Sequence, residues 1–94
     1  MSIEKYMDAS TCYITEKDNK LLLTFDFPFA VYEYEGGYFV HTFHHSETLE
    51  KLGRAYGLSE DFIALLLFAH DKDCTFIKLD CDGDDSYNFT KHNW

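Results

Sequence analysis

Cysteine is scarce in this sequence, and long apolar runs are absent. The three cysteines, Cys12, Cys74 and Cys81, are odd in number and form no C-x-x-C pair, which argues against a disulfide framework. A transmembrane helix needs roughly 18 or more apolar residues, and no run approaches that length. The N-terminal stretch MSIEKYMDAS also lacks the apolar segment of a signal peptide. We therefore expect a reduced cytoplasmic protein that has no membrane partner.

Basic residues are few as well. The sequence has 8 Lys and Arg against 17 Asp and Glu, which gives a formal net charge of -9. A phosphate backbone would be repelled by such a surface, so direct binding to nucleic acid is disfavoured. Attraction to the basic surfaces with which proteins hold nucleic acid is one interpretation of the charge, and solubility alone is the other.

The common catalytic and cofactor-binding motifs are missing. The sequence contains no G-x-S-x-G, no G-x-x-x-x-G-K and no G-x-G-x-x-G. His41 and His45 have the H-x-x-x-H spacing, but on a strand they would lie roughly 13 Å apart, too far to share one zinc ion. We therefore predict no catalytic residue, no cofactor and no assigned metal ligand.

Aromatic residues, in contrast, are plentiful. They make up 18% of the 94 residues, and the apolar fraction is 46%. Large rings fill a core with few residues, which helps a small domain to overcome its chain entropy. The length suits one core, so we expect a single domain over residues 1–94.

The first half of the chain predicts a strand, a helix and a hairpin. Residues 9–15 are rich in β-branched and aromatic types and predict a strand. A helix over residues 16–23 is expected to begin with a capping box of Thr15 and Asp18. Gly36 and Gly37 predict a two-residue hairpin turn, whose aromatic face should be the core side. The predicted cross-strand pairs are Tyr34 with Phe39, Tyr32 with His41, and Ala30 with Phe43.

The second half predicts two helices and a strand. Ser46 is a good N-cap, and Gly57 is a plausible end of the first helix. A second helix starts at Ser59, and its middle, FIALLLFA, is apolar all the way round. We expect this segment to be buried between the sheet and the preceding helix; a homodimer face at residues 62–69 is the alternative.

A strand in TFIKLDC and an aromatic tail complete the pattern. Ile77, Leu79 and Cys81 alternate toward one face of that strand, and the aromatic residues of the tail suggest that it folds back on the body. The whole order predicts an α+β fold with a small mixed sheet of about four strands, including the Gly-Gly hairpin, and helices packed on one face.

Aspartates crowd the segment after this last strand. Setting Gly83 at position 6 of an EF-hand loop puts Lys78 at position 1 and Phe89 at position 12, so the segment fails as an EF-hand. A looser divalent site at Asp80, Asp82 and Asp84 stays open. The carboxylates of Asp80 and Asp82 would then make the protein a metal-binding module or a metal-assisted hydrolase.

The charge itself is the other candidate site. Between residues 59 and 85 there are eight acidic residues against two lysines. Two acids end a helix, where negative charge is unfavourable, and this indicates that the region is used for binding rather than for stability. The predicted partner-binding residues are Asp71, Asp73, Asp80, Asp82, Asp84 and Asp85.

Four segments are distinctive when taken together: STCYITEKD, VYEYEGGYFV, CTFIKLDCDGD and the terminal Asn93-Trp94. They resemble a family of small acidic proteins of unknown function, encoded on bacterial plasmids, prophages and other mobile elements, which usually has Asp-Trp at this terminal position. The segment between the hairpin and the long helix, HTFHHSETLEKLGRAYGLSED, is longer than the short link that is usual in this family. The resemblance implies no known activity, and the family's neighbourhood of anti-defence genes implies a role against host restriction or CRISPR systems.

The leading hypothesis is therefore a non-enzymatic inhibitor that binds a protein in the bacterial cytoplasm. Its acidic residues would occupy the basic nucleic-acid-binding surface of a host defence protein. The alternatives are the metal site described above and a homo-oligomeric accessory protein.

Overall fold

The computed structural model describes residues 5–24, 27, 29–42 and 45–94. The described residues form four strands and three helices, and a short 3-10 turn at Thr11–Tyr13 follows the first strand. In chain order the elements are β1 (Tyr6–Ser10), α1 (Glu16–Leu22), β2 (Val31–Tyr34), β3 (Gly37–His41), α2 (Ser46–Ala55), α3 (Glu60–Asp71) and β4 (Phe76–Asp80). The predicted α+β fold with a four-stranded sheet is confirmed.

The sheet is mixed, and its order is β1-β4-β3-β2. β4 lies between β1 and β3: it pairs in parallel with β1 and antiparallel with β3. β3 in turn forms the antiparallel hairpin with β2. The strand that comes last in sequence therefore holds the sheet together.

One face of the sheet packs on the helices. Val40, Ile77 and Leu79 are fully buried there, next to Met7 and Ala9 of β1. The predicted alternation of β4 is confirmed for Ile77 and Leu79, whereas Cys81 lies exposed in the turn beyond the strand.

The hairpin differs from its prediction in register and in orientation. Its turn consists of Glu35 and Gly36, so that Tyr34 pairs with Gly37 and Tyr32 pairs with Phe39. Gly37 belongs to the ladder, and this position needs glycine because a Cβ atom there would lie 1.8 Å from the carbonyl oxygen of Leu79. The predicted pairs are therefore wrong, and the partner proposed for Ala30, Phe43, lies outside the described residues.

The predicted core face of the hairpin is also wrong. Val40 is buried, whereas Tyr32 on the opposite face is 59% exposed. The cause is the register with β4, which sets Val40 beside Ile77 and Tyr38 beside Leu79. The aliphatic row continues across β4 and faces the helices, and the aromatic row is left on the open side.

The first strand is shifted toward the N-terminus relative to the predicted residues 9–15. The side chain of Ser10 accepts a hydrogen bond from the amide of Cys12, and this bond turns the chain into the 3-10 segment. The turn carries Tyr13 into the core, where its hydroxyl donates to the carbonyl of Tyr87 at 3.1 Å. A long-range contact thus overrides the local β propensity of this segment.

The capping box at the start of α1 is confirmed. The Thr15 hydroxyl accepts from the amide of Asp18, and the Asp18 carboxylate accepts from the amide of Thr15. That carboxylate is fully buried and also accepts two hydrogen bonds from Ser59, from its amide at 2.8 Å and from its hydroxyl at 2.5 Å. Ser59 caps α3, so one carboxylate joins the N-terminal ends of two helices.

The remaining helix boundaries follow the sequence closely. His45, rather than Ser46, occupies the N-cap position of α2, and Gly57 terminates the turn after this helix with a φ of 83°. The apolar segment of α3 is buried at Phe62, Ile63, Leu65, Leu66 and Ala69. Burial of this segment within the chain is therefore confirmed. Ala64, Leu67 and Phe68 keep some exposure, and a homodimer through residues 62–69 stays a prediction.

The tail folds back on the body, as expected. The indole of Trp94 donates to the carbonyl of Ile14 at 2.9 Å, and the hydroxyl of Tyr87 donates to the carbonyl of Asp8 at 2.8 Å. His92 lies 2.7 Å from the Asp61 carboxylate of α3. Within the described residues, none of the helices is long and apolar enough to span a bilayer.

Replacing Asp18 with alanine should lower the free energy of unfolding by roughly 2–4 kcal/mol, because it leaves the donors of Thr15 and Ser59 without an acceptor. Glu16→Ala is the matched control: this carboxylate lies in the same helical turn but is exposed. Its effect should stay within roughly 0.5 kcal/mol. Urea unfolding followed by circular dichroism measures both, and equal effects would contradict the role given to Asp18.

Candidate functional site

The segment from Asp80, the last residue of β4, to Asp85 is called the acidic loop. Its backbone is fastened to neighbouring elements: the carbonyl of Asp84 accepts from the amide of Ser10, and the amide of Cys81 donates to the carbonyl of Gly36. A further bond inside the loop joins the amide of Gly83 to the carbonyl of Asp80 at 2.9 Å. The loop is therefore held in one conformation by both β1 and the hairpin turn.

Asp80 is the best-ordered carboxylate of the acidic loop. The Tyr34 hydroxyl donates to one of its oxygens at 2.5 Å, and the amide of Asp82 donates to the other at 2.8 Å. These bonds lower the pKa of Asp80, the bond from Tyr34 most of all. The pKa of Tyr34 is raised, mainly by burial and then by its bond to the anion. At neutral pH Asp80 is thus a carboxylate and Tyr34 a neutral donor.

Asp84 is held in the same way at the other end of the loop. One of its oxygens accepts from both the hydroxyl and the amide of Ser86, at 2.5 and 2.8 Å, and these bonds lower its pKa. Asp82 and Asp85 are exposed beside it. The acidic loop therefore presents four carboxylates, two of which are fixed in place by hydrogen bonds.

The structure does not bring all six predicted partner-binding residues together. Asp71 ends α3, and Asp73, with a φ of 60°, lies in the turn before β4. The acidic loop begins where β4 ends, and a five-residue strand spans about 13 Å between its first and last Cα atoms. Four aspartates thus share one end of β4, and the other two lie at the opposite end.

The acidic loop also contains a group of possible metal ligands. In the described part of the chain, ligand atoms of Asp80, Cys81 and Asp82 lie within 4.8 Å of one another. A thiolate combined with carboxylates suits a transition metal such as zinc better than magnesium or calcium. However, both oxygens of Asp80 already accept hydrogen bonds, so an ion would compete with Tyr34 and the amide of Asp82.

A recess lies between the hairpin turn and the tail. Its volume is about 590 Å³, and its walls include Cys12, Glu33, Cys81 and His92. The ring of His92 is bonded to Asp61, which fastens the tail to α3. The recess is polar and wide. The contact of His92 with Asp61 gives this histidine a structural role in holding the tail.

The open face of the sheet carries a cluster of rings, and those of the hairpin, Tyr32, Tyr34 and Phe39, were expected to face the core. This aromatic face consists of Tyr6, Tyr32, Tyr34, Phe39 and Phe76. Phe39 is its centre: its ring centroid lies 5.9 Å from that of Tyr6, 5.4 Å from that of Tyr34 and 6.4 Å from that of Phe76. The rings therefore form one continuous patch that crosses all four strands.

The aromatic face is accessible to solvent. Tyr6 is 53% exposed and Tyr32 is 59% exposed. Between them lies a shallow concavity of about 280 Å³, lined by Lys5 and four of the rings. An exposed apolar patch of this kind on a folded domain is typical of an interaction surface.

Charged side chains adjoin the rings on the same side of the sheet. Asp8 of β1 and Lys78 of β4 are partners in the parallel register. The ammonium group of Lys78 lies 6.0 Å from the centre of the Tyr34 ring, and Asp80 is bonded to that tyrosine. The aromatic face and the acidic loop are thus neighbours that meet at Tyr34.

Together these features define a class: a small α+β domain in which helices cover one face of a mixed sheet and leave an aromatic face open beside an acidic loop. Residues 6–94 match the family model described as "Family of unknown function (DUF5983) C-terminal domain", and the chain belongs to this family. Comparison with curated proteins and with solved structures gives no match. The expectation of a family of unknown function is confirmed; the mobile-element setting and the anti-defence context stay predictions.

Replacing Tyr34 with phenylalanine should raise the pKa of Asp80 toward the roughly 3.9 of an unperturbed aspartate, because the anion loses its strongest donor. Carboxyl carbon NMR during a pH titration measures this shift, and Asp84, which has its own donors, is the internal control.

The same variant should respond differently to acid. A lowered pKa in the folded state stabilises the fold above the unfolded pKa, and the benefit is lost as pH falls through the folded pKa. Tyr34→Phe should therefore lose less stability than the wild-type chain between about pH 5 and pH 2. An unchanged pKa of Asp80 would show that the hydroxyl does not bind the carboxylate in solution.

Proposed function

We propose that the domain is a protein-binding inhibitor that places its acidic loop on a basic surface of a partner protein. The observation that supports this function is the fixed geometry of the loop, in which four carboxylates are held at the end of β4 and two are kept ionised by hydrogen bonds. Because two of the four carboxylates are already ordered, these two lose little conformational entropy when they meet cationic side chains. Complementary charge also accelerates association.

The proposed partner is the nucleic-acid-binding surface of a bacterial host defence protein, of the restriction or CRISPR type. Such surfaces carry the Lys and Arg residues that neutralise phosphates, and a domain with a net charge of -9 is attracted to them. The resemblance to proteins of mobile elements also supports a host defence protein as the partner. Asp71 and Asp73, at the other end of β4, would add a second negative contact.

The test is affinity capture with a charge-neutralised loop. Asp82→Asn, Asp84→Asn and Asp85→Asn are combined in one variant, in which Asp80 and its bond to Tyr34 are kept. The control variant removes the same charge from the helices through Glu16→Gln, Glu47→Gln and Glu50→Gln. Each immobilised protein is exposed to nuclease-treated bacterial lysate, and the captured proteins are identified by mass spectrometry.

The wild-type and control domains should retain the same nucleic-acid-binding protein, which salt and added duplex DNA release. The loop variant should retain it about tenfold less, as expected when several charge pairs are lost. Capture that is equal for all three proteins and resists salt would remove the electrostatic part of the proposal.

A metal-binding function is the second candidate, supported by the proximity of Asp80, Cys81 and Asp82. Calorimetry with zinc, manganese, magnesium and calcium tests it directly, and the ligand types predict heat with zinc and none with magnesium. Cys81→Ser should abolish the zinc signal, whereas Cys12→Ser should leave it unchanged. If no ion gives heat or a thermal shift, this function is excluded.

A further inference from the structure

We propose that the aromatic face binds arginine side chains of the partner protein, so that the rings form the centre of the interface and the acidic loop forms its rim. This inference rests on the proposed function, since it takes the partner to be a protein with a basic surface. It identifies a contact surface that charge alone does not indicate. It also names the side chain that this surface recognises.

The geometry of the rings suits a flat cation. The face of an aromatic ring carries partial negative charge, and a guanidinium group stacks on it more readily than an ammonium group does. The concavity of about 280 Å³ between Tyr6, Tyr32 and Phe76 has the size of one long side chain. The chain already shows the interaction internally, where the ammonium group of Lys78 lies 6.0 Å from the centre of the Tyr34 ring.

The surrounding charges favour the binding of a cationic side chain. Lys5 and Lys78 adjoin the rings, but acidic residues outnumber them: Asp8 and Asp80 lie beside the rings, the rest of the acidic loop lies at one end of β4, and Asp71 and Asp73 lie at the other. Protein interfaces commonly have an aromatic centre and a charged rim, and Tyr, Trp and Arg dominate their binding energy. The described surface has this aromatic centre and a rim that is mainly negative, so the partner would supply the positive charges.

The same charges argue against two other occupants. Platforms that stack nucleic-acid bases lie in positively charged grooves, whereas Lys78 here has Asp8 beside it and the ammonium group of Lys5 donates to the carbonyl of Lys72 at 2.8 Å. A second copy of the chain would bring two molecules of net charge -9 together with their acidic ends close by. Charge complementarity therefore selects a basic protein.

The experiment uses peptides of defined chemistry as probes. An acetylated and amidated pentapeptide, Gly-Arg-Gly-Arg-Gly, is titrated into the full chain and compared with versions in which lysine or citrulline replaces arginine. Backbone amide signals in two-dimensional NMR report the binding site. We expect the largest changes at the strand residues that carry the rings, and binding about fivefold weaker for lysine and weaker still for citrulline.

The face variant combines Tyr6→Ser and Tyr32→Ser, which remove rings that are more than half exposed and leave the core untouched. It should bind the arginine peptide about fivefold more weakly or worse. Tyr56→Ser is the matched control, because this ring is 44% exposed but lies at the end of α2, away from the sheet. Unchanged core signals in the NMR spectrum verify that the variants are folded.

The outcomes separate this inference from the proposed function. Equal binding of the arginine and lysine peptides at the acidic loop, sensitive to the loop variant but not to the face variant, overturns the inference and leaves the proposed function standing. Arginine binding at the rings, together with lysate capture that ignores loop charge, supports the arginine contact at the aromatic face but removes the acidic loop from its rim and removes the electrostatic proposal.

Three further results overturn the inference. They are the absence of any peptide-induced change at the rings, preferential binding of an oligothymidylate there, and a dimer in light scattering that the face variant abolishes.

Discussion

The buried carboxylate of Asp18 is the contact on which the arrangement of the helices depends. It completes the capping box of α1 with Thr15 and at the same time accepts both donors of Ser59, the residue that caps α3. A buried carboxylate is costly unless its lone pairs are satisfied, and here three donors and two helix N-termini satisfy them. These bonds hold the start of α3 against the start of α1. The helices cover the face of the sheet that carries Val40, Ile77 and Leu79, and the opposite face is open.

The second constraint is the central position of β4. This strand pairs with β1 on one side and with β3 on the other, so the sheet closes only when the end of the chain returns to its beginning. The same pairing carries the acidic loop to the hairpin turn and sets Asp80 against Tyr34. The fold and the candidate site therefore share their long-range contacts. A change that loosened β4 would disperse the carboxylates as well as the rings.

The proximity of rings and carboxylates changes the interpretation of the charge. The excess of acidic residues first suggested a continuous negative ridge, yet the structure splits it between the two ends of β4 and sets the aromatic face between them. Charge at a rim mainly governs the rate and the selectivity of association, whereas desolvated rings at the centre contribute most of the affinity. In this arrangement both would act on one partner.

Features that depend on near neighbours could be predicted from the sequence. The capping box of α1, the apolar α3, the alternation of β4 and the acidic loop all rest on residues a few positions apart. The hairpin register and the exposed aromatic face depend instead on a long-range contact, because β4 is about 40 residues away in sequence and its pairing with β3 sets Val40 beside Ile77. Both rows of the hairpin are apolar enough to be buried, and the choice belongs to the strand that pairs with it.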